Sequence, residues 1–297
     1  LDRRERGQSA IGLLSLSAIL AGLSVLSKYN AIFMPLGLAA IVLARPQLRP
    51  LLKSPHLWLA GLLSVGMQAP VFYWNLTEGL ASYRYHLTER GEAAGLMHPT
   101  LTNGTDFLAF MVIGLSPPLM VALWRLFRAR PGGTYEANHF ALARSVFALS
   151  SGVLLALSFY VYAYFYWNIV AYVAAIPLLA RLLGRRLLFW GHAAYGLVVT
   201  LVLAFNFAIL PIPALWGGNG GEAAQVFGWQ EVAQAVAQSQ AQHPEAFLAG
   251  TRYTIAAQLG FALHTTQVTA LDPRKDQFDY WFDASTYRGR DAIIVAT

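Results

Sequence analysis

Apolar runs of membrane-spanning length dominate this chain and restrict what it can fold into. A helix crosses the hydrocarbon core of a bilayer with about 20 residues. Only 12% of the 297 residues are charged and 56% are hydrophobic, whereas a soluble domain carries roughly 25% charged residues. The sequence therefore predicts a polytopic α-helical membrane protein. Its seven predicted spans are residues 11–27, 30–44, 56–74, 106–124, 143–163, 166–181 and 187–210.

Lysine and arginine cluster at alternate ends of these runs, which is the pattern that sets membrane topology. The arginine-rich side comprises Arg3, Arg4, Arg6, Arg45, Arg49, Lys53, Arg125, Arg128, Arg130, Arg181, Arg185 and Arg186. This side is expected in the cytoplasm, and seven spans then place everything after Ile209 outside. Because the net charge of +6 arises at helix ends, the sequence predicts membrane lipids and not nucleic acid as partners.

The composition changes after the last apolar run. Residues 211–221, "PIPALWGGNGG", are rich in proline and glycine and predict a linker. Beyond it, "AFLAG" and "DAIIVA" predict short buried strands, and "TIAAQLGFAL" predicts a helix between strands. We therefore expect a helix bundle over residues 1–210 and a small extracytoplasmic α/β domain over residues 222–297.

Lys28 lies between two apolar runs, on the side of the membrane that carries few basic residues. A charge in the bilayer core costs roughly 3 kcal/mol unless it reaches the interface or has a partner. Two interpretations are open: a lysine that extends to the interface, or a fixed positive charge for a phosphate at the outer face. Tyr29 and Asn30 follow directly and supply donors suited to phosphate oxygens.

The long outer loop, residues 73–105, mixes aromatic and basic side chains. Arginines near the outer interface can bind phosphate with two parallel hydrogen bonds, and an interfacial amphipathic helix is the alternative. The candidates from this loop are Arg84 and Arg90 for phosphate and Tyr83 and His86 for the lining of a cavity.

The run "FYVYAYFYWNIVAY", residues 159–172, is the richest in aromatic side chains. It predicts either an aromatic belt at the membrane interface or a cleft that binds sugar or lipid. Trp167 and Asn168 are its candidate lining residues, and Asn168 needs a hydrogen-bond partner if it is buried.

Motifs for metal binding and nucleophilic catalysis are not found in the sequence. The histidines are scattered, no H-E-x-x-H pair or P-loop occurs, and there is no G-x-S-x-G. The chain also has no cysteine. The sequence therefore predicts no metal site and requires no cofactor.

Several motifs together resemble bacterial membrane glycosyltransferases of the GT-C class, within which family 39 is the most similar. They are "GLSVLSKYNAIFMPLG", "PVFYWNLTEGLASYRYHL" and "YWNIVAYVAAIPLLA", followed by "RYTIAAQLGFAL", "DQFDYWF" and "GRDAIIVAT" in the tail. Family 39 includes protein O-mannosyltransferases, lipid A aminoarabinose transferases and the rhizobial core galacturonosyltransferase group. The resemblance implies a GT-C-like helix bundle with an extracytoplasmic cavity, in the inner membrane of a bacterium.

The resemblance also implies an activity. Such enzymes transfer a sugar from a polyprenyl-phosphate carrier to a lipid, glycan or protein acceptor at the periplasmic face, and some use a divalent metal. Lys28 matches the "SKY" element of the family, and Arg84 and Arg90 lie in the loop that helps to cover the cavity. The acidic residues of the family lie in the first outer loop, which is expected upstream of this chain. We therefore assign no catalytic residue and expect an inactive, N-terminally truncated fragment.

Two other classes of protein are open alternatives. A transporter or flippase would place ionisable groups near the midplane and would show internal repeats, and neither is visible in the sequence. A non-catalytic membrane sensor would use the outer α/β domain to bind a ligand. The outer loop with its aromatic and basic residues favours the enzyme. The sequence does not distinguish mannose, galacturonate or aminoarabinose as the sugar.

Overall fold

The computed structural model describes residues 11–84, 100–218, 221–272 and 276–296. Two of the candidate residues, His86 and Arg90, lie outside this part of the chain. The chain divides into two compact units, residues 1–197 and 198–297. Their boundary falls within the last long helix, whereas the sequence places the end of the bundle at residue 210.

The regular elements of the first unit are helices in the residues that the structure describes. Short 3-10 turns over Tyr29–Ile32, Arg49–Lys53, Phe165–Asn168 and Ile176–Leu178 connect several of its helices. The α-helices are α1 (Ile11–Ser27), α2 (Phe33–Ala44), α3 (Pro55–Gly66), α4 (Ala69–Thr77), α5 (Ala81–Arg84), α6 (Leu101–Leu115), α7 (Pro117–Arg128), α8 (Thr134–Ser158), α9 (Ile169–Ala175), α10 (Leu179–Leu183) and α11 (Arg186–Ala208), the last of which continues into the second unit.

Several helices are long and apolar enough to cross a membrane, which confirms the prediction of an α-helical membrane protein. Within the described residues there are three such stretches, Thr134–Ser158, Phe165–Leu183 and Arg186–Ala208, or up to five if two bent helix pairs each form one span. The predicted spans 11–27 and 30–44 correspond to helices of 17 and 12 residues, with a 3-10 turn between them. They are shorter than a full span, because the chain breaks at Lys28.

The predicted span 106–124 is not one straight helix. Helices α6 and α7 meet at an angle of 106° around Ser116, whose φ of 76° is unfavourable for a residue with a side chain. Two prolines follow, and neither has an N–H to continue a helix. The Ser116 hydroxyl instead accepts a hydrogen bond from the Leu119 N–H at 3.2 Å and so caps α7. It also lies 2.8 Å from Nδ1 of His192 on α11.

Helix α8 is the centre of the first unit and packs against α2, α6, α7 and α9. Small residues allow the close approaches, as is usual between helices in membranes. A Cβ added at Gly37 of α2 would meet Val146 of α8, and one added at Gly22 of α1 would meet Met67. The main core consists of Met111, Leu115, Leu119, Ala122, Leu123, Leu126, Phe140, Ala143, Ala175, Leu178, Leu182 and Leu183.

The two ends of α8 have different chemical surroundings. With 25 residues and a rise of 1.5 Å per residue, the helix is about 37 Å long and exceeds the hydrocarbon thickness. At its start, Arg45 donates hydrogen bonds to Asn138 and to the carbonyl of Ala137, and Arg181 pairs with Glu136. Beyond its other end lies the tyrosine-rich segment 160–168. We call these the arginine end and the aromatic end.

The second unit contains a small α/β fold, as the sequence predicts. Its three strands form a parallel sheet in the order β2-β1-β3, with Leu248 of β1 opposite Val268 of β2 and Ile293 of β3. The two predicted strands and the predicted helix are present. The third strand, β2, has only three residues, too few to show the hydrophobic pattern of a strand in the sequence. The elements are α12 (Gly221–Ala224), α13 (Trp229–Gln242), β1 (Phe247–Gly250), α14 (Tyr253–Leu263), β2 (Val268–Ala270), α15 (Gln277–Trp281) and β3 (Ala292–Val295).

Candidate functional site

Lys28 occupies the break between α1 and the turn Tyr29–Ile32. Its backbone is extended, with φ −159° and ψ 127°, so the helix of the preceding apolar run ends here. The side chain is exposed, and Nζ lies 5.3 Å from the centre of the Tyr166 ring. This distance allows an attraction between the ammonium group and the face of the ring. The structure therefore places Lys28 beside the aromatic run 159–172.

Asn30 fixes this arrangement. Its side-chain amide donates a hydrogen bond of 2.8 Å to the carbonyl of Trp167, which joins two segments far apart in the sequence. The bond is partly buried, where a satisfied polar pair helps to define one geometry. Lys28 and Trp167, two of the predicted site residues, are thus brought together. From the sequence, Asn30 is expected only as a donor to phosphate oxygens, and its role in joining the two segments is not visible there.

A row of tyrosines leads up to Lys28. Tyr162 and Tyr164 have ring centres 5.0 Å apart, and Tyr164 stacks on Tyr166 at 5.1 Å with 25° between the ring planes. The Trp167 ring lies 5.4 Å from that of Tyr164. All three tyrosines are 39–47% exposed. The row offers exposed ring faces and hydroxyl groups next to a positive charge, which suits a ligand with apolar, hydroxylated and anionic parts.

The spacing of these tyrosines explains their exposure. Tyr162 and Tyr164 alternate with Val161 and Ala163, which are 8% and 3% exposed. Such a period of two is typical of extended backbone, and no helix is assigned between Tyr160 and Tyr164. The alternation is visible in "YVYAYFY", but the predicted span 143–163 extends a helix over Tyr160, Val161, Tyr162 and Ala163, where the backbone is not helical.

Asn168 was predicted to line a cavity, and this prediction is wrong because its side chain is completely buried. Its Oδ1 accepts a hydrogen bond of 2.6 Å from the Ser150 hydroxyl, and its Nδ2 donates one of 2.8 Å to Ser151 Oγ. The two serines lie on α8. Asn168 therefore anchors the turn that carries Tyr166 and Trp167 and does not itself meet a ligand.

We expect Asn168→Ala to destabilise the protein by about 1–2 kcal/mol, because buried serine hydroxyls lose their partner. Asn103→Ala is the matched control, since Asn103 lies half-exposed on α6. The measurement is thermal unfolding of the purified protein in detergent. Equal midpoints for the two variants would contradict an anchoring role for Asn168.

Tyr83 and Arg84 lie on the short helix α5, which packs against α4. The turn before it is held by Asn75, which is completely buried. Its Oδ1 accepts hydrogen bonds from the Ser82 N–H at 3.2 Å and the Ser82 hydroxyl at 2.8 Å. Asn75 begins an N-x-T pattern, "NLT", which is typical of glycosylation acceptors, but its side chain is buried and therefore has a structural role.

Among the residues that the structure describes, no three His, Asp or Glu side chains lie close enough together to hold a metal ion. The Lys28 site itself contains cationic, amide and phenolic groups, which are donors. Donors of this kind suit an anionic ligand better than a cation. We assign no catalytic base within it.

Residues 6–74 match a family model described as dolichyl-phosphate-mannose-protein mannosyltransferase. The resemblance to GT-C membrane glycosyltransferases is thereby confirmed. The matched segment includes Lys28, Tyr29 and Asn30, while the aromatic segment 160–168 lies outside it. No curated protein and no solved structure matches the chain. Two contacts join the matched segment to the aromatic segment, one from Asn30 to Trp167 and one from Lys28 to Tyr166.

Proposed function

We propose that the chain is part of a family 39 enzyme that transfers a sugar from a polyprenyl-phosphate carrier to an acceptor at the periplasmic face of a bacterial inner membrane. The observation that supports this most directly is the position of Lys28. It lies within the segment that matches the mannosyltransferase family model and next to the exposed Tyr166 ring. A phosphate at the aromatic end would meet a positive charge and hydroxyl donors together.

The proposed chemistry uses Lys28 to stabilise the leaving group. When the acceptor oxygen attacks the sugar carbon, the bond between that carbon and the phosphate oxygen breaks, and negative charge accumulates on the phosphate. An ammonium group fixed at this position stabilises the charge where it develops. The tyrosine row is proposed to contact the sugar or the first part of the lipid chain.

The remaining parts of the assignment rest on the resemblance alone. Arg84 and Arg90 are proposed to assist at the carrier phosphate, and a divalent metal is compatible with the activity but not required. The acceptor is a lipid, a glycan or a protein, and the second unit is proposed to lie on the periplasmic side of the membrane.

The proposal is tested by Lys28→Ala, introduced into the gene in its own host. We expect transfer of labelled sugar from polyprenyl-phosphate donors to fall by about tenfold or more, since a charge-assisted contact to phosphate contributes about 1.5–3 kcal/mol. Lys53→Ala is the matched control: Lys53 is also exposed, at the end of the turn Arg49–Lys53, and belongs to the predicted cytoplasmic set.

Two readouts make the result decisive. Insertion is checked by the amount of each variant in the membrane, and binding by native mass spectrometry of the purified chain with polyprenyl phosphate. Loss of both binding and transfer in Lys28→Ala alone supports the proposal. Normal transfer in Lys28→Ala, or equal loss in Lys53→Ala, would assign Lys28 to the interface and remove it from the site.

A further inference from the structure

A second charged site lies at the arginine end of the first unit. A cavity of about 220 Å³ opens there between the C-terminal ends of α7 and α10. Its lining consists of Arg125, Arg128, Ala129, Arg181 and Leu182. Three arginines thus line one small space at this end of the first unit.

Two of these arginines are held in place by the protein. Arg125 donates hydrogen bonds to the carbonyls of Leu182 at 2.9 Å and Leu183 at 3.0 Å. Arg181 donates to the carbonyl of Arg130 at 2.8 Å and lies over the Phe140 ring at 5.4 Å. A guanidinium group has five N–H donors, so these contacts leave donors for a ligand.

Arg128 is held differently. Its guanidinium carbon lies 5.2 Å from the centre of the Trp124 ring, and it has no hydrogen bond or ion pair with the residues that the structure describes. Its side chain is exposed at the opening of the cavity. It is therefore the arginine that can turn toward a ligand without breaking an internal bond.

The charges around the cavity do not balance. Glu136 pairs with Arg181, which leaves the positive charges of Arg125 and Arg128 without a paired carboxylate in the described part of the chain. Arg185 and Arg186 follow closely on the same end. The excess positive charge of these arginines favours an anion as the ligand, and guanidinium groups match the geometry of a phosphate.

Helix α7 also has the features of a helix at the membrane interface. It turns by 106° from α6 and exposes Val121, Trp124 and Phe127 by 38–59% beside Arg128. Exposed apolar and aromatic groups next to arginine are typical of helices that lie at the headgroup level. The cytoplasmic leaflet, where the sequence places this end, is the one that carries anionic lipid in many membranes.

We propose that the cavity between α7 and α10 binds the phosphate headgroup of an anionic phospholipid. Arg125 and Arg181 form the preorganised part of the site, and Arg128 closes on the phosphate from the membrane side. The lipid joins the ends of α7 and α10 and is structural. This proposal is independent of the sugar donor at the opposite end of α8.

The test measures lipid binding by the full chain, purified in detergent and freed of lipid. Native mass spectrometry gives its affinity for phosphatidylglycerol and for phosphatidylcholine, which carries a phosphate but no net charge. We expect Arg128→Gln to lower the affinity for phosphatidylglycerol by about fivefold. Arg130→Gln is the matched control, since it removes the same charge two residues further along the chain but Arg130 does not line the cavity.

The outcomes are distinct. A selective loss in Arg128→Gln, with preference for phosphatidylglycerol, supports the proposal. Equal losses in the two variants would show general attraction without a site, and an unchanged affinity in Arg128→Gln would exclude this residue as a ligand; either result overturns the proposal. Displacement of the lipid by an equal concentration of inorganic phosphate would identify a site for soluble phosphate and overturn the lipid assignment.

Discussion

Replacing Gly37 by leucine is expected to destabilise the protein by about 3 kcal/mol. A Cβ at this position would lie 2.5 Å from Cγ2 of Val146 and only 3.1 and 3.2 Å from its backbone N and Cα. A side-chain atom can rotate away, but the backbone of α8 cannot. Helices α2 and α8 would therefore have to separate, with loss of the packing that holds helices together in a membrane.

The same substitution is expected to disturb the Lys28 site. Helix α2 follows directly on the turn Tyr29–Ile32, so its displacement would strain the hydrogen bond from Asn30 to Trp167. Because the chain has no cysteine, the double variant Lys28→Cys, Tyr166→Cys can be cross-linked. The cross-linking yield then reports the distance between the segment of Lys28 and the segment of Tyr166. Gly37→Leu should lower both the unfolding midpoint and the cross-linking yield.

Gly152→Leu is the matched control for this prediction. Gly152 lies on α8, and a Cβ added there meets no atom within 4 Å. Leucine also favours the helix over glycine by up to about 1 kcal/mol, so this variant should be as stable as the wild type or slightly more stable. Similar losses for the two variants would mean that the contact between Gly37 and Val146 is not what limits stability.

Replacing Phe140 by alanine is expected to cost about 3–5 kcal/mol, the usual loss for a large aromatic side chain removed from a core. Phe140 is fully buried in the main core. Its ring also lies under two guanidinium groups, with Arg144 at 5.1 Å and Arg181 at 5.4 Å. The substitution therefore leaves a cavity and removes the surface on which both arginines rest.

Phe110→Ala provides the comparison, because Phe110 on α6 is 45% exposed and its removal leaves no enclosed cavity. Unfolding midpoints in detergent should differ clearly between the two variants. Phe140→Leu restores most of the volume without the ring, and it should recover stability while still weakening lipid binding through Arg181. Full recovery of both properties would show that only the volume of Phe140 matters.

The sequence predicts the fold class well, because hydropathy reports directly which segments avoid water. It does not predict the direction in which each helix runs after a break. The run 106–124 is apolar on both sides of Ser116, so composition alone does not reveal the turn of 106°. The two prolines after Ser116 interrupt the helix, and the Ser116 hydroxyl contacts His192, which lies 76 residues further along the chain.

The candidate site is predicted in part for a similar reason. Lys28 is conspicuous because a charge interrupts an apolar run, and the aromatic run is conspicuous by composition. That these two segments meet depends on the pairing of Asn30 with Trp167. No local pattern encodes such a pairing. Asn168 shows the opposite error: a polar residue among aromatics resembles a ligand-binding group, although its partners are two serines of α8.

The partner of Lys28 affects how the site would respond to an incoming anion. In the part of the chain that the structure describes, the ammonium group faces the Tyr166 ring and has no ion pair with a carboxylate. A ring attracts a cation by only about 0.5–2 kcal/mol and leaves its charge intact. A carboxylate would compete with every arriving phosphate, whereas the ring orients Lys28 and offers no competition. The ring thus orients the Lys28 ammonium group while leaving its positive charge uncompensated.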